Sequence, residues 1–233
     1  MIRFRVGILI AALGAALTAF AFADEPKNYT FDPRPPGTIV QNQVVYLAGE
    51  AMHSQWRAVL SKTPVGRDGS RTFAQWYLSI YAIDGTVYHL RYQSPRDGAP
   101  FTKVEKAHGA NLWFPVADAT IGGSGEFMEP GVQQLVVVSH EAAADCGSAR
   151  VDVFFYDAAM RTIAPTLSVE NGCALSAAIV HGAHGDALAV TGPYYGPNAA
   201  LCCPTKNKAT AIFRFHNGTW TQTPRYFKVL PTP

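Results

Sequence analysis

Three residues with metal-binding or acid–base chemistry lie within one short stretch of the sequence, His181, His184 and Asp186. Zinc accepts imidazole and carboxylate ligands, and a histidine can serve a hydrolase as a general base. His140 and Glu141 lie in a segment that could approach this stretch. The stretch has neither a fixed ligand spacing nor a fourth ligand, and its Gly and Asp residues are typical of a hairpin turn. A turn is therefore the favoured interpretation, and the sequence predicts no metal or cofactor.

Neither Ser124 nor Ser139 lies in a sequence pattern typical of a catalytic nucleophile. Ser124 lies between glycines, but Glu126 replaces the last glycine of the G-x-S-x-G turn and no helix is predicted to follow, so this segment is interpreted as a linker. Ser139, His140 and Glu141 are consecutive, and neighbouring residues of a strand point to opposite faces, which prevents a Ser-His-acid relay. The sequence therefore favours a protein that is not an enzyme. The alternative is a periplasmic or secreted hydrolase with a site assembled only in three dimensions, from His140, His181, His184 and Asp186.

Tyr194 and Tyr195 are the predicted binding residues. They stand between two Gly-Pro sequences on a long loop. The prolines stiffen the loop and the rings offer contact area at low entropy cost, as in an aromatic binding lip. The alternative is that both rings fold over the core and pack the loop.

All four cysteines lie in the C-terminal half of the chain, at Cys146, Cys173, Cys202 and Cys203. An even number of cysteines in an exported chain favours two disulfides over free thiols or a metal site. We predict that Cys146 pairs with Cys173, and that the adjacent Cys202 and Cys203 form a vicinal bridge. The two crossed pairings stay open.

The N-terminus has the pattern of an export signal. Arg3 and Arg5 precede an apolar run of about 15 residues, which is too short to span a membrane, and Ala21 to Ala23 has the small-x-small pattern of a cleavage site. Residues 1–23 are therefore predicted to be a signal peptide, with no membrane span left after cleavage. No cysteine precedes Cys146, which excludes a lipobox, so we expect a periplasmic or secreted protein without a lipid anchor.

The charge of the chain argues against nucleic acid as a partner. The formal net charge of +2 equals the two arginines of the predicted signal peptide, so the mature chain is formally neutral. Binding to phosphates needs a surplus of basic residues. The expected partner is an unknown ligand or protein of the cell envelope.

The mature chain is predicted to be a tether followed by one domain. Residues 24–43 are polar and rich in proline, which is typical of an extended tether. Residues 44–233 alternate apolar runs with turn residues and show no sustained helical period, which predicts a single β-rich domain.

The clearest element of that domain is a hairpin between Leu135 and Cys173. Leu135 to Val138 is continuously apolar, whereas Arg150 to Tyr156 alternates, and the chain then returns from Thr162 to Val169. Pairing Tyr156 with a residue between about Arg161 and Ile163 would bring Cys146 opposite Cys173, within a residue or two, at the open end of the hairpin.

The same strand–loop–hairpin organisation recurs on both sides of this unit. Two-residue turns are predicted at Asp84-Gly85 and Asn217-Gly218, and residues 64–70 are predicted to be a polar loop. The flanking units comprise strands at 57–61, 73–83 and 86–92, and at 187–191, 209–216 and 219–223. The fold class is therefore all-β, with antiparallel meanders in three or four divergent propeller-like blades. A β-sandwich built from the same meanders is the alternative.

The C-terminal half resembles a group of uncharacterised exported bacterial proteins. Cys202, Cys203 and Pro204 precede an aromatic strand with Phe213 and Phe215 and a turn at Gly218. This arrangement resembles that of lipoproteins of the LppP/LprE type over residues 135–220, although this chain lacks their lipobox cysteine. The resemblance implies an exported location and a β fold, and it implies no activity.

The leading interpretation is an exported cell-envelope β-domain that acts as a binding or interaction module. It depends on the export signal, the neutral charge, the aromatic loop and the absence of a catalytic pattern. The hydrolase above is the alternative, and a structural envelope component is the third class.

Overall fold

The three strand–loop–hairpin units of the sequence form three mainly antiparallel β-sheets in the computed structural model. The structure describes residues 29–48, 55–68, 71–94, 102–107, 110–141, 148–183, 185–196 and 204–232. In this part of the chain there are strands, turns and bends but no helix, which confirms the all-β prediction.

The first sheet has the strand order β1-β5-β4-β3-β2. Its strands are antiparallel except for β1, which lies parallel to β5. Alternating apolar residues on β4 turn one face of this sheet inward, as the sequence predicted. The strands are β1 (Thr30–Asp32), β2 (Thr38–Val45), β3 (Trp56–Asp68), β4 (Arg71–Asp84) and β5 (Val87–Ser94).

The second sheet contains six strands in the order β15-β10-β9-β8-β7-β6. The hairpin register follows the prediction, because Tyr156 pairs with Ile163 and Ala149 with Asn171. The strands are β6 (Thr102–Ala107), β7 (Ala110–Glu129), β8 (Val132–Glu141), β9 (Ala149–Asp157), β10 (Thr162–Asn171) and β15 (Lys228–Val229).

The third sheet is a four-stranded meander in sequence order. Its last turn has positive φ at both central residues, Asn217 and Gly218, as a type I′ turn requires. The strands are β11 (Ser176–Val180), β12 (Ala187–Tyr194), β13 (Lys206–His216) and β14 (Thr219–Thr223).

The second sheet is the central layer and is buried on both faces. Leu135, Val137 and Phe154 belong to the core shared with the first sheet. Val136, Val151 and Val153 belong to the core shared with the third sheet. A strand buried on both faces has no polar side, which explains why residues 135–138 are continuously apolar. Face-to-face stacking of this kind is common to the blade and sandwich interpretations.

The Gln41 side chain joins the first two sheets where β7 departs from regular pairing. The Gln41 amide donates to the Ile121 carbonyl at 3.1 Å, and its oxygen accepts from the Ile121 N–H at 2.8 Å. The register of β7 against β8 shifts between Ile121 and Gly123. Gln41 therefore replaces backbone partners at a β-bulge.

The predicted tether is wrong for the part that the structure describes. Residues 38–45 form β2 and pair with β3, and residues 30–32 pair with β5. Phe31 also packs on Tyr81 and Tyr88, with ring centroids 4.8 and 5.1 Å apart. The proline-rich composition concealed two short edge strands, because proline is tolerated beside strand ends.

Three local predictions also need correction. Residues 64–68 continue β3 instead of starting a loop, and β4 begins at Arg71. The predicted linker around Ser124 belongs to β7. The turn predicted at Asp84-Gly85 lies one residue later, at Gly85-Thr86, since Asp84 pairs with Val87. Only Gly85 in this turn has positive φ. The predicted signal peptide lies outside the described residues.

Candidate binding groove at the turn end of the sheets

A groove lies where hairpin turns of the second and third sheets meet. It consists of two adjoining clefts of about 400 and 350 Å³ that share Met128, Glu129 and Phe215 in their walls. These volumes lie at the lower end of the range for small-molecule sites. We call the combined surface the turn groove; its other lining residues are Glu126, Phe127, Pro130, Val132, Gln134, Phe155, Tyr156, Asp157, Ala158, Gly185, His216, Asn217 and Gly218.

The β-hairpins place aromatic side chains in the turn groove. Phe155 stands at the end of β9, just before the turn to β10. The next residue, Tyr156, also borders the groove, but its ring packs on Trp56, with centroids 4.9 Å apart. Phe215 stands near the end of β13, where it continues the inward alternation of Ala211 and Phe213 beyond the core. Because the core ends there, Phe215 is half-buried and faces the groove.

A bulge in β7 shapes the wall between the clefts. The register shifts between Gly125 and Glu129, which leaves backbone N–H groups without a ladder partner. The buried Gln134 side chain accepts from the N–H groups of Phe127 and Met128, at 2.8 and 3.1 Å. Its amide nitrogen donates to the Val132 carbonyl at 2.9 Å. Gln134 therefore holds the wall by three hydrogen bonds and is not itself available to a ligand.

Gly125 is required beside this wall because other groups approach it closely. A Cβ atom there would lie 2.8 Å from the Phe127 ring and 3.0 Å from the Asp186 carboxylate. Contacts this short force a neighbour to move. The glycine that suggested a linker thus permits close packing of β7 against the third sheet.

The turn groove is lined by carboxylates and by no Lys or Arg side chain among the described residues. One Glu126 oxygen accepts from the Gly131 N–H at 3.0 Å. One Asp157 oxygen accepts from the N–H groups of Ala159 and Met160, at 2.9 and 3.0 Å. Glu129 is exposed at the shared wall. The groove therefore combines an aromatic floor with an acidic rim.

The structure brings two of the four predicted hydrolase residues together. His181 Nδ1 lies 2.9 Å from Asp186 Oδ1. The other Asp186 oxygen accepts from the Glu126 N–H at 2.8 Å, and the Asp186 N–H donates to the Glu126 carbonyl at 3.1 Å. Asp186 thus connects the β11–β12 turn to β7, while the His181 side chain is 78% exposed. This arrangement agrees with the turn interpretation of the stretch.

His140 lies away from that pair. Its Nε2 is 3.1 Å from the carbonyl oxygen of Leu175, just before β11, whereas His181 follows the last residue of β11. Six residues of extended chain separate the two points by about 20 Å. The predicted assembly of His140 with His181 and Asp186 is therefore not formed, because β11 holds them at opposite ends. His184 lies outside the described residues.

The two predicted binding tyrosines do not share a lip. Tyr194 packs on Tyr226 with ring centroids 4.8 Å apart, and the Tyr195 hydroxyl lies 2.8 Å from the Cys173 sulfur. Both rings are half-buried, as the packing alternative anticipated. Lys206 donates to the Tyr226 hydroxyl at 2.9 Å, a hydrogen bond that raises the pKa of the ammonium.

Cys173 is disulfide-bonded, and its sulfur is buried beside Tyr195. The other three cysteines lie outside the described residues, so the pairing with Cys146 stays a prediction. The N–H of the Asn171 side chain donates to the Pro193 carbonyl at 2.9 Å, which holds the end of β12 close to the segment that contains Cys173.

Within the described ranges, no group of three His, Cys, Asp or Glu side chains is placed to hold a metal ion. The described part of the chain also has no helix that is long and apolar enough to cross a membrane.

Sequence reasoning missed the turn groove because its parts are far apart in the chain. The one local signal was Phe215, which continues the inward alternation of Ala211 and Phe213. No protein-family model, curated protein or solved structure matches this chain.

Proposed function

We propose that this protein is an exported β-domain of the cell envelope, periplasmic or secreted, that binds its ligand in the turn groove. The observation that carries the proposal is an aromatic-floored groove built from turns of two stacked sheets. Turns held by a rigid β scaffold are common places for binding residues. The proposal moves the binding site from Tyr194 and Tyr195 to Phe155 and Phe215, because the two tyrosines are engaged in packing.

The sequence supports the proposed location. An export signal at residues 1–23 and four cysteines fit an oxidising compartment. The resemblance to LppP/LprE-type proteins agrees with export. In this proposal Cys146 and Cys173 form a structural disulfide, and Cys202 and Cys203 form a vicinal bridge.

The experiment is chemical-shift mapping of the purified mature chain with a panel of soluble oligosaccharides and short peptides. A ligand of the proposed site should shift the amide resonances of Met128, Glu129 and Phe215 before those of other residues. Shifts confined to Tyr194 and Tyr195 would return the binding site to these two tyrosines. No shift in the groove with any panel member would refute the proposal.

A hydrolase is the second candidate, and the His181–Asp186 pair is the observation that favours it. With its proton on Nδ1, His181 donates to Asp186 and leaves Nε2 as an exposed base, as in a hydrolytic dyad. The test is hydrolysis of a 4-nitrophenyl ester by wild type and by His181→Ala, with His89→Ala as a control at a histidine on β5 of the first sheet. Equal rates in all three proteins would dismiss this candidate.

A further inference from the structure

The acidic rim of the turn groove has acceptor capacity that the described contacts do not use. Glu126 and Asp157 each employ one carboxylate oxygen in turn hydrogen bonds, through Oε2 and Oδ1. Their second oxygens and both oxygens of Glu129 accept no hydrogen bond from the described residues. A carboxylate supports several hydrogen bonds, and charge-assisted bonds to cationic donors are the strong ones.

The charge of this surface selects against anions. Its three carboxylates have no Lys or Arg among the described lining residues to balance them. An anionic ligand would meet repulsion from all three, whereas a cation would be attracted by each of them. Charge complementarity therefore points to a positively charged occupant.

The shape of the surface selects for an extended occupant with apolar groups. The two clefts lie on either side of the wall formed by Met128 and Glu129, and Phe215 lines both. One compact molecule would fill only one cleft, whereas an extended chain can place one side chain in each. Phe155 and Phe215 offer apolar and aromatic contact area to those side chains.

We propose that the occupant of the turn groove is an extended, positively charged peptide segment that places an apolar side chain against Phe155 or Phe215 and a Lys or Arg side chain against Glu129. The proposal deepens the proposed function and depends on it. Specificity comes from the acidic rim, and the aromatic floor supplies the buried apolar area.

Trp220 provides a local reporter of occupancy. Its ring lies 5.7 Å from that of Phe127 and 5.6 Å from that of Phe215, between centroids. Its indole nitrogen donates to the Thr166 hydroxyl at 3.3 Å, which fixes the ring behind the groove. The indole N–H resonance, assigned with Trp220→Phe, should therefore move when the groove is filled.

The experiment uses three fluorescein-labelled hexapeptides in which Phe alternates with Lys, Ser or Glu. Affinity is measured by fluorescence anisotropy at low salt and at 0.5 M NaCl, and the Trp220 indole resonance gives the location. The matched variants are Glu129→Gln, which removes a carboxylate from the rim, and Glu170→Gln, which removes one from the far end of β10, where it pairs with Lys228.

The Lys peptide should bind most tightly, move the Trp220 resonance and lose affinity at high salt. Glu129→Gln should weaken its binding about fivefold, the effect of one partly screened charge pair, while Glu170→Gln should leave it unchanged. Equal binding of the Ser or Glu peptide, or an unchanged affinity in Glu129→Gln, would overturn the proposal. A neutral oligosaccharide that moves the same resonance would overturn only the peptide assignment and leave the proposed function standing.

Discussion

Replacing the buried Asp152 should change how the unfolding free energy depends on pH. The sign of that change shows whether burial or the neighbouring Arg150 dominates the pKa of Asp152. Asp152 is 1% exposed on β9, at the face of the central sheet that meets the first sheet. Its Oδ1 accepts from the Ser168 hydroxyl at 2.5 Å and from Arg150 Nε at 2.9 Å. Burial nevertheless raises the pKa of Asp152, although the Arg150 charge and both hydrogen bonds oppose the shift.

The size of the effect follows from the contacts that are lost. Asp152→Ala removes the acceptor of two hydrogen bonds and leaves Arg150 without its carboxylate. Breaking a fully buried ion pair costs about 3 to 5 kcal/mol, but Arg150 is 28% exposed and can turn to water. We therefore expect a loss of about 2 to 3 kcal/mol, or about 5 to 10 °C in Tm for a domain of this size. Asp152→Asn keeps an oxygen acceptor and should lose less.

The sign of the pH effect is the sharper test. A carboxyl whose pKa is raised by folding contributes stability that is present below its unfolded pKa, near 3.9, and is lost as the pH rises through the folded pKa. The difference in unfolding free energy between wild type and Asp152→Asn should therefore shrink as the pH rises from 4 to 7. Urea unfolding of both proteins at several pH values measures it. A difference that grows with pH would refute the reasoning and show that Arg150 holds the carboxylate ionised.

Three further predictions concern the elements that hold the sheets together. Gln41→Ala should cost about 1 to 3 kcal/mol in urea unfolding, because the backbone of the buried Ile121 loses both of its amide partners; a cost near zero would mean that water replaces them. Phe31→Ala should cost about 2 kcal/mol and increase amide exchange in β1, and unchanged exchange would show that the stacked rings do not hold that strand. Non-reducing peptide mapping should recover Cys173 linked to Cys146, and linkage to another cysteine would replace the predicted pairing.

The features predicted correctly from the sequence were those set by local physics. A period of two along β4 and β9 places their apolar residues on the correct faces, since successive strand residues point to opposite sides. The register of the central hairpin followed from the position of its turn, and Asn217-Gly218 adopted the positive φ values that a two-residue turn needs. These features depend on residues that are near one another in the chain.

The features that were missed depend on partners far away in sequence. Gly125 was interpreted as part of a linker, yet it lies in β7, at a position where Asp186 and the Phe127 ring leave no room for a side chain. Residues 38–43 look like a tether until β3 pairs with them. The separation of His140 from His181 is likewise set by β11, and no sequence motif indicates the length or position of that strand.

No sequence motif indicated the turn groove either. Its floor combines Phe155 from one hairpin with Phe215 from another. Its acidic rim comes from the ends of β7 and β9 in the central sheet. Each residue alone has an ordinary structural explanation, such as the turn hydrogen bonds of Asp157. Only the stacking of the sheets makes them neighbours.

Site-specific photocrosslinking in the intact cell envelope tests the central claim most directly. A photoreactive phenylalanine analogue replaces Phe215 in the turn groove, Tyr194 at the end of β12, or the exposed Val180 on the outer face of β11 as a background control. Binding in the turn groove predicts a discrete adduct from position 215 that excess Lys-Phe peptide suppresses, and only background from 194 and 180. An adduct from position 194 with none from 215 would contradict the account.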